Sequence, residues 1–162
     1  MADGTQRIVK LTLDERTVVR RNADVEHERA VAIYDLLEDN RFALGMGAGK
    51  DAAGPYHVHL SIEDNRLVLD IADTGDQPVD RVVLPLTPFR KIVKDYFTVC
   101  ESYYAAIRTA TPSQIEAIDM GRRGLHNEGS NLLVERLGGK IEIDFNTGRR
   151  LFTLLCVLHI RG

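Results

Sequence analysis

The chain opens with apolar residues spaced for a strand, Ile8, Val9, Leu11 and Leu13, closed by the polar run Asp14-Glu15-Arg16. The spacing then turns helical, with Ala30, Ile33, Tyr34 and Leu37 at three- and four-residue steps. Asp24 stands where an N-cap belongs, and Glu26 and Glu28 follow in the first turn, where a helix dipole favours negative charge. The pattern predicts a helix from Asp24 to about Asp39. Gly45 to Gly54 then reads as a glycine- and alanine-rich loop.

Beyond it the period changes to two. Tyr56, Val58, Leu60 and Ile62 alternate with His57, His59, Ser61 and Glu63, the mark of a half-buried strand. The turn Asp64-Asn65 leads to a second strand with Leu67, Leu69 and Ile71 on one face, and Thr74 to Pro78 leads to a third through Val82-Val83-Leu84. Connections this short force antiparallel pairing, so a three-stranded meander is expected.

The second half is helical. Thr87-Pro88 reads as cap and first helical position. Ile92, Val93, Tyr96, Cys100, Tyr103 and Ile107 then share one face, opposite Arg90, Lys91, Lys94, Thr98 and Glu101. Thr111-Pro112-Ser113-Gln114 is a capping box with proline, opening a helix that should reach about Leu137 before Gly138-Gly139 stops it. A last helix, Phe145 to His159, has almost no polar face, which suits either the centre of a core or an oligomer interface. The expected fold is α+β: a small antiparallel meander, with an N-terminal strand and helix, packed against a C-terminal group of three α-helices. A length of 162 residues suits a single domain.

Composition narrows the function classes. Apolar residues make up 44% and charged residues 28%, which is globular, and a net charge of −3 argues against a surface built for nucleic acid or anionic membrane. The basic pairs Arg20-Arg21, Arg90-Lys91 and Arg149-Arg150 are the local exceptions. Cys100 and Cys156 lie in apolar helical patterns without CxxC spacing, as reduced buried thiols do. No signal-peptide pattern or run of about 20 apolar residues is present, so a cytoplasmic protein is expected.

One stretch breaks its own pattern. Gly121, Gly124 and Gly129 sit inside a helix, at a cost of roughly 1 kcal/mol each relative to alanine. Ala117, Gly121 and Gly124 share a smooth face open to close approach. Arg122 and His126 fall within the apolar stripe of Ile115, Ile118, Leu125 and Leu133, with Asp119 and Ser130 at its edge. A charged group there needs pairing, and Asp119 lies three residues from Arg122, within reach on a helix. The cluster reads as a buried polar network or as an anion pocket drawn from Arg122, Arg123, His126, Asn127 and Glu128. In the second case His126 and Asp119 are the catalytic candidates. A helix broken near Gly124 and recapped by Asn127 is a third arrangement.

Elsewhere, His57 and His59 share one strand face at a spacing metal sites can use, with solvated histidines as the plainer reading. His27 in an acidic first turn and His159 near a helix C-terminus have structural explanations. Gly45-Met46-Gly47-Ala48-Gly49-Lys50 fails as a P-loop, because Leu44 stands where the first glycine belongs and Asp51 where serine or threonine belongs. No cofactor is expected.

Long motifs carry a family resemblance. Asp24-Val25-Glu26-His27-Glu28-Arg29-Ala30, Leu84-Pro85-Leu86-Thr87-Pro88-Phe89-Arg90, Ile107 to Gln114, Met120 to Gly129 and Arg149-Arg150-Leu151-Phe152-Thr153 resemble the uncharacterised bacterial family numbered 0262 in the UPF series. The resemblance implies a single domain in a bacterial cytosol and brings no catalytic residues. Two functions follow from the residues. One is a non-catalytic binding or regulatory module that docks a protein or small anion at the glycine-flanked helix, with a homodimer compatible. The other is an enzyme acting on a phosphate- or carboxylate-bearing molecule through His126, Asp119 and Arg122.

Overall fold

A computed structural model describes residues 6–14, 23–45 and 54–159. The Arg20-Arg21 pair, the Met46–Lys50 run and the side chains of Asp24 and His159 lie outside the described residues. The elements run β1 (Ile8–Leu13), α1 (Ala23–Glu38), β2 (Phe42–Leu44), β3 (Tyr56–Glu63), β4 (Arg66–Ala72), β5 (Pro78–Pro85), α2 (Arg90–Thr109), α3 (Pro112–Leu137), β6 (Ile141–Ile143) and α4 (Phe145–His159). The fold is α+β, and β3, β4 and β5 form the expected antiparallel meander. Asp64 and Asn65 take φ of 52° and 60°, the positive values a two-residue hairpin turn requires, and so pair Glu63 with Arg66.

The first strand joins this sheet in parallel beside β3, giving the order β1-β3-β4-β5. A parallel neighbour needs a crossover, and α1 lies within it. Asn40 clips the end of α1 to β1: its Oδ1 accepts from the Ile8 N–H at 2.7 Å, and its Nδ2 donates to the carbonyls of Ile8 and Leu36. A second sheet pairs β2 with β6, Phe42 opposite Ile143 and Leu44 opposite Ile141. Neither of these three-residue strands shows a readable period in the sequence. Thr87 is not the cap of α2: a 3₁₀ turn over Thr87–Phe89 precedes the helix, with Leu86 at its start and no side-chain cap bond. Thr111 does cap α3, its hydroxyl accepting from the Gln114 N–H while Gln114 Oε1 accepts from the Thr111 N–H.

The apolar face of the sheet, with Val58, Leu60, Leu69, Ile71 and Leu84, meets the helices in one core. Its centre is α4, where Leu151, Phe152, Leu154, Leu155, Cys156, Val157 and Leu158 are all buried, against α1, α3 and β3. Burial of such side chains contributes about 1.5–3 kcal/mol each. The missing polar face of this helix is thus accounted for within the chain. Cys100 and Cys156 are buried free thiols, and burial pushes the Cys100 thiol up to about 11, far from a reactive thiolate.

The three glycines of α3 differ. A Cβ on Gly129 would lie 2.2 Å from the Phe152 ring, whereas one on Gly121 or Gly124 would meet nothing within 4 Å. Gly129→Ala should therefore destabilise the protein by about 1–3 kcal/mol through overpacking. Gly121→Ala and Gly124→Ala should each stabilise it by about 0.5–1 kcal/mol through helix propensity. Urea unfolding of the three variants measures both signs.

Candidate functional site

The helix α3 is continuous from Pro112 to Leu137, which removes the broken-helix arrangement at Gly124. One turn carries the expected Asp119–Arg122 ion pair and adds a second, from Arg123. Arg122 Nη2 and Nε donate to Asp119 Oδ1 at 2.6 and 3.1 Å, and Arg123 Nε lies 3.1 Å from Asp119 Oδ2. The Arg122 hydrogen bond, with the charges of Arg122 and Arg123, holds the Asp119 carboxyl below its usual range. Arg122 also ties α3 to its neighbours: its Nη1 is 3.9 Å from Glu28 of α1, and its guanidinium stacks 4.3 Å from the Tyr103 ring centroid of α2. Both carboxylate oxygens of Asp119 are thus held by arginines, and it is not a free general base.

One turn on, His126 is 9% exposed and lodged between the rings of Tyr96 and Phe152, both edge-on at 5.3 and 5.2 Å. Its Nε2 lies 2.7 Å from Thr153 Oγ1 of α4, and its Nδ1 3.4 Å from Ser130 Oγ. Each hydroxyl also reaches a carbonyl one turn back, Ser130 donating to His126 O and Thr153 to Arg149 O. Thr153 can therefore accept from Nε2–H while its own proton goes to Arg149 O. Burial, then the charges of Arg149 and Arg122, push the His126 imidazole down to about 4. It is neutral at physiological pH.

These residues form part of the wall of a cleft of about 360 Å³ between α1, α3 and α4, floored by Tyr96 of α2. Arg122, Arg123 and His126 line it from α3, Arg149, Arg150 and Thr153 from α4, and His27, Glu28, Val31, Ala32 and Asp35 from α1. Among the described residues neither Arg149 nor Arg150 has a carboxylate partner; Arg150 donates only to the Asn146 carbonyl. The sequence reading missed Thr153, Arg149 and Arg150 as members of this site. The Arg149-Arg150 pair was visible as a basic cluster, but nothing in its spacing pointed to α3.

Other sequence candidates lie elsewhere. Asn127 and Glu128 are exposed, and Glu128 lines a separate groove between α2 and α3 beside Lys91 and Asp95. The smooth face of Gly121 and Gly124 is open and does not border the cleft. His57 and His59 do share the outer face of the sheet, in a shallow concavity of about 590 Å³. There His57 Nδ1 bonds Asp76 and His59 Nδ1 bonds Thr12, each at 2.7 Å. Arg81 bridges Glu63 and Asp70 on the same face, so its charges are already matched. Among the described residues no group of three or more His, Cys, Asp or Glu side chains could hold a metal ion.

The comparisons with known proteins agree with one another. Residues 5–161 match the model of a family described as "Uncharacterised protein family (UPF0262)". The chain belongs to the UPF0262 family. It is 63% identical over 157 residues to a UPF0262 protein of Azorhizobium caulinodans, covering 96% of this chain and 95% of that one. A UPF0262 protein of Paramagnetospirillum magneticum is 62% identical over 157 residues, covering 97% and 98% of the two chains. One from Chelativorans is 64% identical over 155 residues, covering 96% and 94%. These UPF0262 relatives are bacterial and match along nearly their whole length. No solved structure matches the chain. Among the described residues, no helix of this UPF0262 member is long and apolar enough to cross a membrane.

The depressed His126 pKa makes stability depend on pH. Between its ordinary 6.5 and about 4, the unfolded chain takes up a proton on this residue and the folded chain does not. Stability is therefore lost as pH falls through that window, by about 3 kcal/mol for a shift of this size. His126→Gln, which keeps a polar group beside Thr153, should flatten the slope by a similar amount. Urea unfolding at intervals from pH 7.5 to 4 compares the two proteins, and parallel slopes would mean that the imidazole titrates normally.

Proposed function

We propose that this protein is a non-catalytic, cytoplasmic binding module that holds a small anionic ligand in the cleft between α1, α3 and α4. The observation that supports this reading is the convergence of four arginines on one cleft, with Arg149 and Arg150 lacking carboxylate partners among the described residues. Guanidinium groups gathered on one cleft repel one another, and an anion bound between them relieves that repulsion. Their planar donor fork is suited to carboxylate and phosphate oxygens. The cleft volume lies at the lower end of small-molecule sites, which span about 300–1,000 Å³.

Binding fits the chemistry of the cleft better than catalysis. A general base works best with a pKa near the working pH, whereas His126 sits at about 4, and both of its nitrogens face hydroxyls within the protein. Asp119 is held by Arg122 and Arg123. The alternative, an enzyme using His126, Asp119 and Arg122, would require these contacts to be given up to substrate.

Isothermal titration of the full chain with citrate and with inorganic phosphate tests the reading. We expect saturable binding that weakens as salt rises. Arg149→Gln and Arg150→Gln should each lower affinity at least tenfold, about 1.4 kcal/mol, while Arg81→Gln on the outer sheet leaves it unchanged. Equal binding by all four proteins, or none at all, would rule the cleft out as an anion site.

A further inference from the structure

The cleft has two sides of opposite charge. Asp119 and Glu28 offset Arg122 and Arg123, at 2.6 and 3.9 Å from Arg122 and, for Asp119, 3.1 Å from Arg123. What stays unmatched among the described residues is Arg149 and Arg150 on α4 and, facing the same space from α1, Asp35. The Asp35 side chain is half-buried, and among the described residues no hydrogen bond or ion pair engages its carboxylate. Val31 and Ala32, one turn before it, add an apolar strip to the same wall. A ligand that is only an anion would satisfy the arginines and sit beside an unscreened carboxylate, an arrangement that costs affinity. A ligand with an ammonium group as well turns that repulsion into an ion pair.

Resting on the binding reading above, we propose that the ligand is a zwitterion, a free α-amino acid, held by its carboxylate at Arg149 and Arg150 and by its ammonium at Asp35. A volume of about 360 Å³ admits a molecule of this size, and the strip at Val31 and Ala32 offers a surface to its side-chain methylenes. Two unmatched arginines place the acidic amino acids, with a second carboxylate, first in rank.

Titration calorimetry of the full chain with each of the 20 common amino acids tests this, followed for each binder by its N-acetyl derivative and its α-amide. We expect aspartate or glutamate to bind, and removal of either backbone charge to weaken binding at least tenfold. In Asp35→Asn the effect should cross over, with affinity for the amino acid falling at least tenfold and affinity for citrate rising. The ligand series needs no variant, so a folding defect in Asp35→Asn would not shield the proposal. If the N-acetyl compound binds as well as its parent, or citrate binds while no amino acid does, the zwitterion is overturned and the anion cleft stands. If neither citrate, phosphate nor any amino acid binds, both are overturned.

Discussion

The contact between Phe152 and Gly129 sets the distance between α3 and α4, and the cleft depends on that distance. A Cβ at residue 129 would occupy the space of the ring. With glycine there, Phe152 lies flush on α3, and the same close approach brings Thr153 within hydrogen-bond distance of His126 one turn away. Arg149, one turn before Thr153, is then near enough to His126 to depress its pKa. A core contact between an aromatic ring and a bare backbone thus positions a polar site at the edge of that core.

The electrostatics of the site follow from its place at that edge. Arg122 is partly buried, and burial of charge is tolerated because Asp119, Glu28 and the Tyr103 ring surround it. Deeper in, His126 is kept neutral and meets the two hydroxyls of Ser130 and Thr153, each with a helix carbonyl as a second partner. Farther out, Arg149 and Arg150 keep their charge without a partner among the described residues. The site thus grades from neutral and packed beside the core to charged and open at the surface.

Much of the fold was legible because its signals are local. Alternation in Tyr56 to Glu63, the Asp64-Asn65 turn and the Thr111–Gln114 capping box each act within a few residues and appear where their pattern places them. The elements that escaped are those whose cause is distant. Residues Phe42–Leu44 are a strand only because Ile141–Ile143, about a hundred positions later, pair with them. Thr87 looked like a cap because the Thr-Pro pair fits one, yet the backbone makes a 3₁₀ turn there before α2 begins.

The site divides the same way. The sequence by itself determined that Asp119 and Arg122 would meet, since helix geometry fixes neighbours three residues apart. It also placed Arg122 and His126 within a stripe that faces the rest of the fold. Only the tertiary structure decided that His126 would meet Thr153, that Arg149 and Arg150 would join Arg122 and Arg123, and that Asp35 would stand across from them. It also decided that Gly121 and Gly124 would stay open while Gly129 is filled by a ring. The physical reason is that each helix states its own periodicity in sequence, whereas the partner of a face and the depth at which it is buried depend on how separate helices pack.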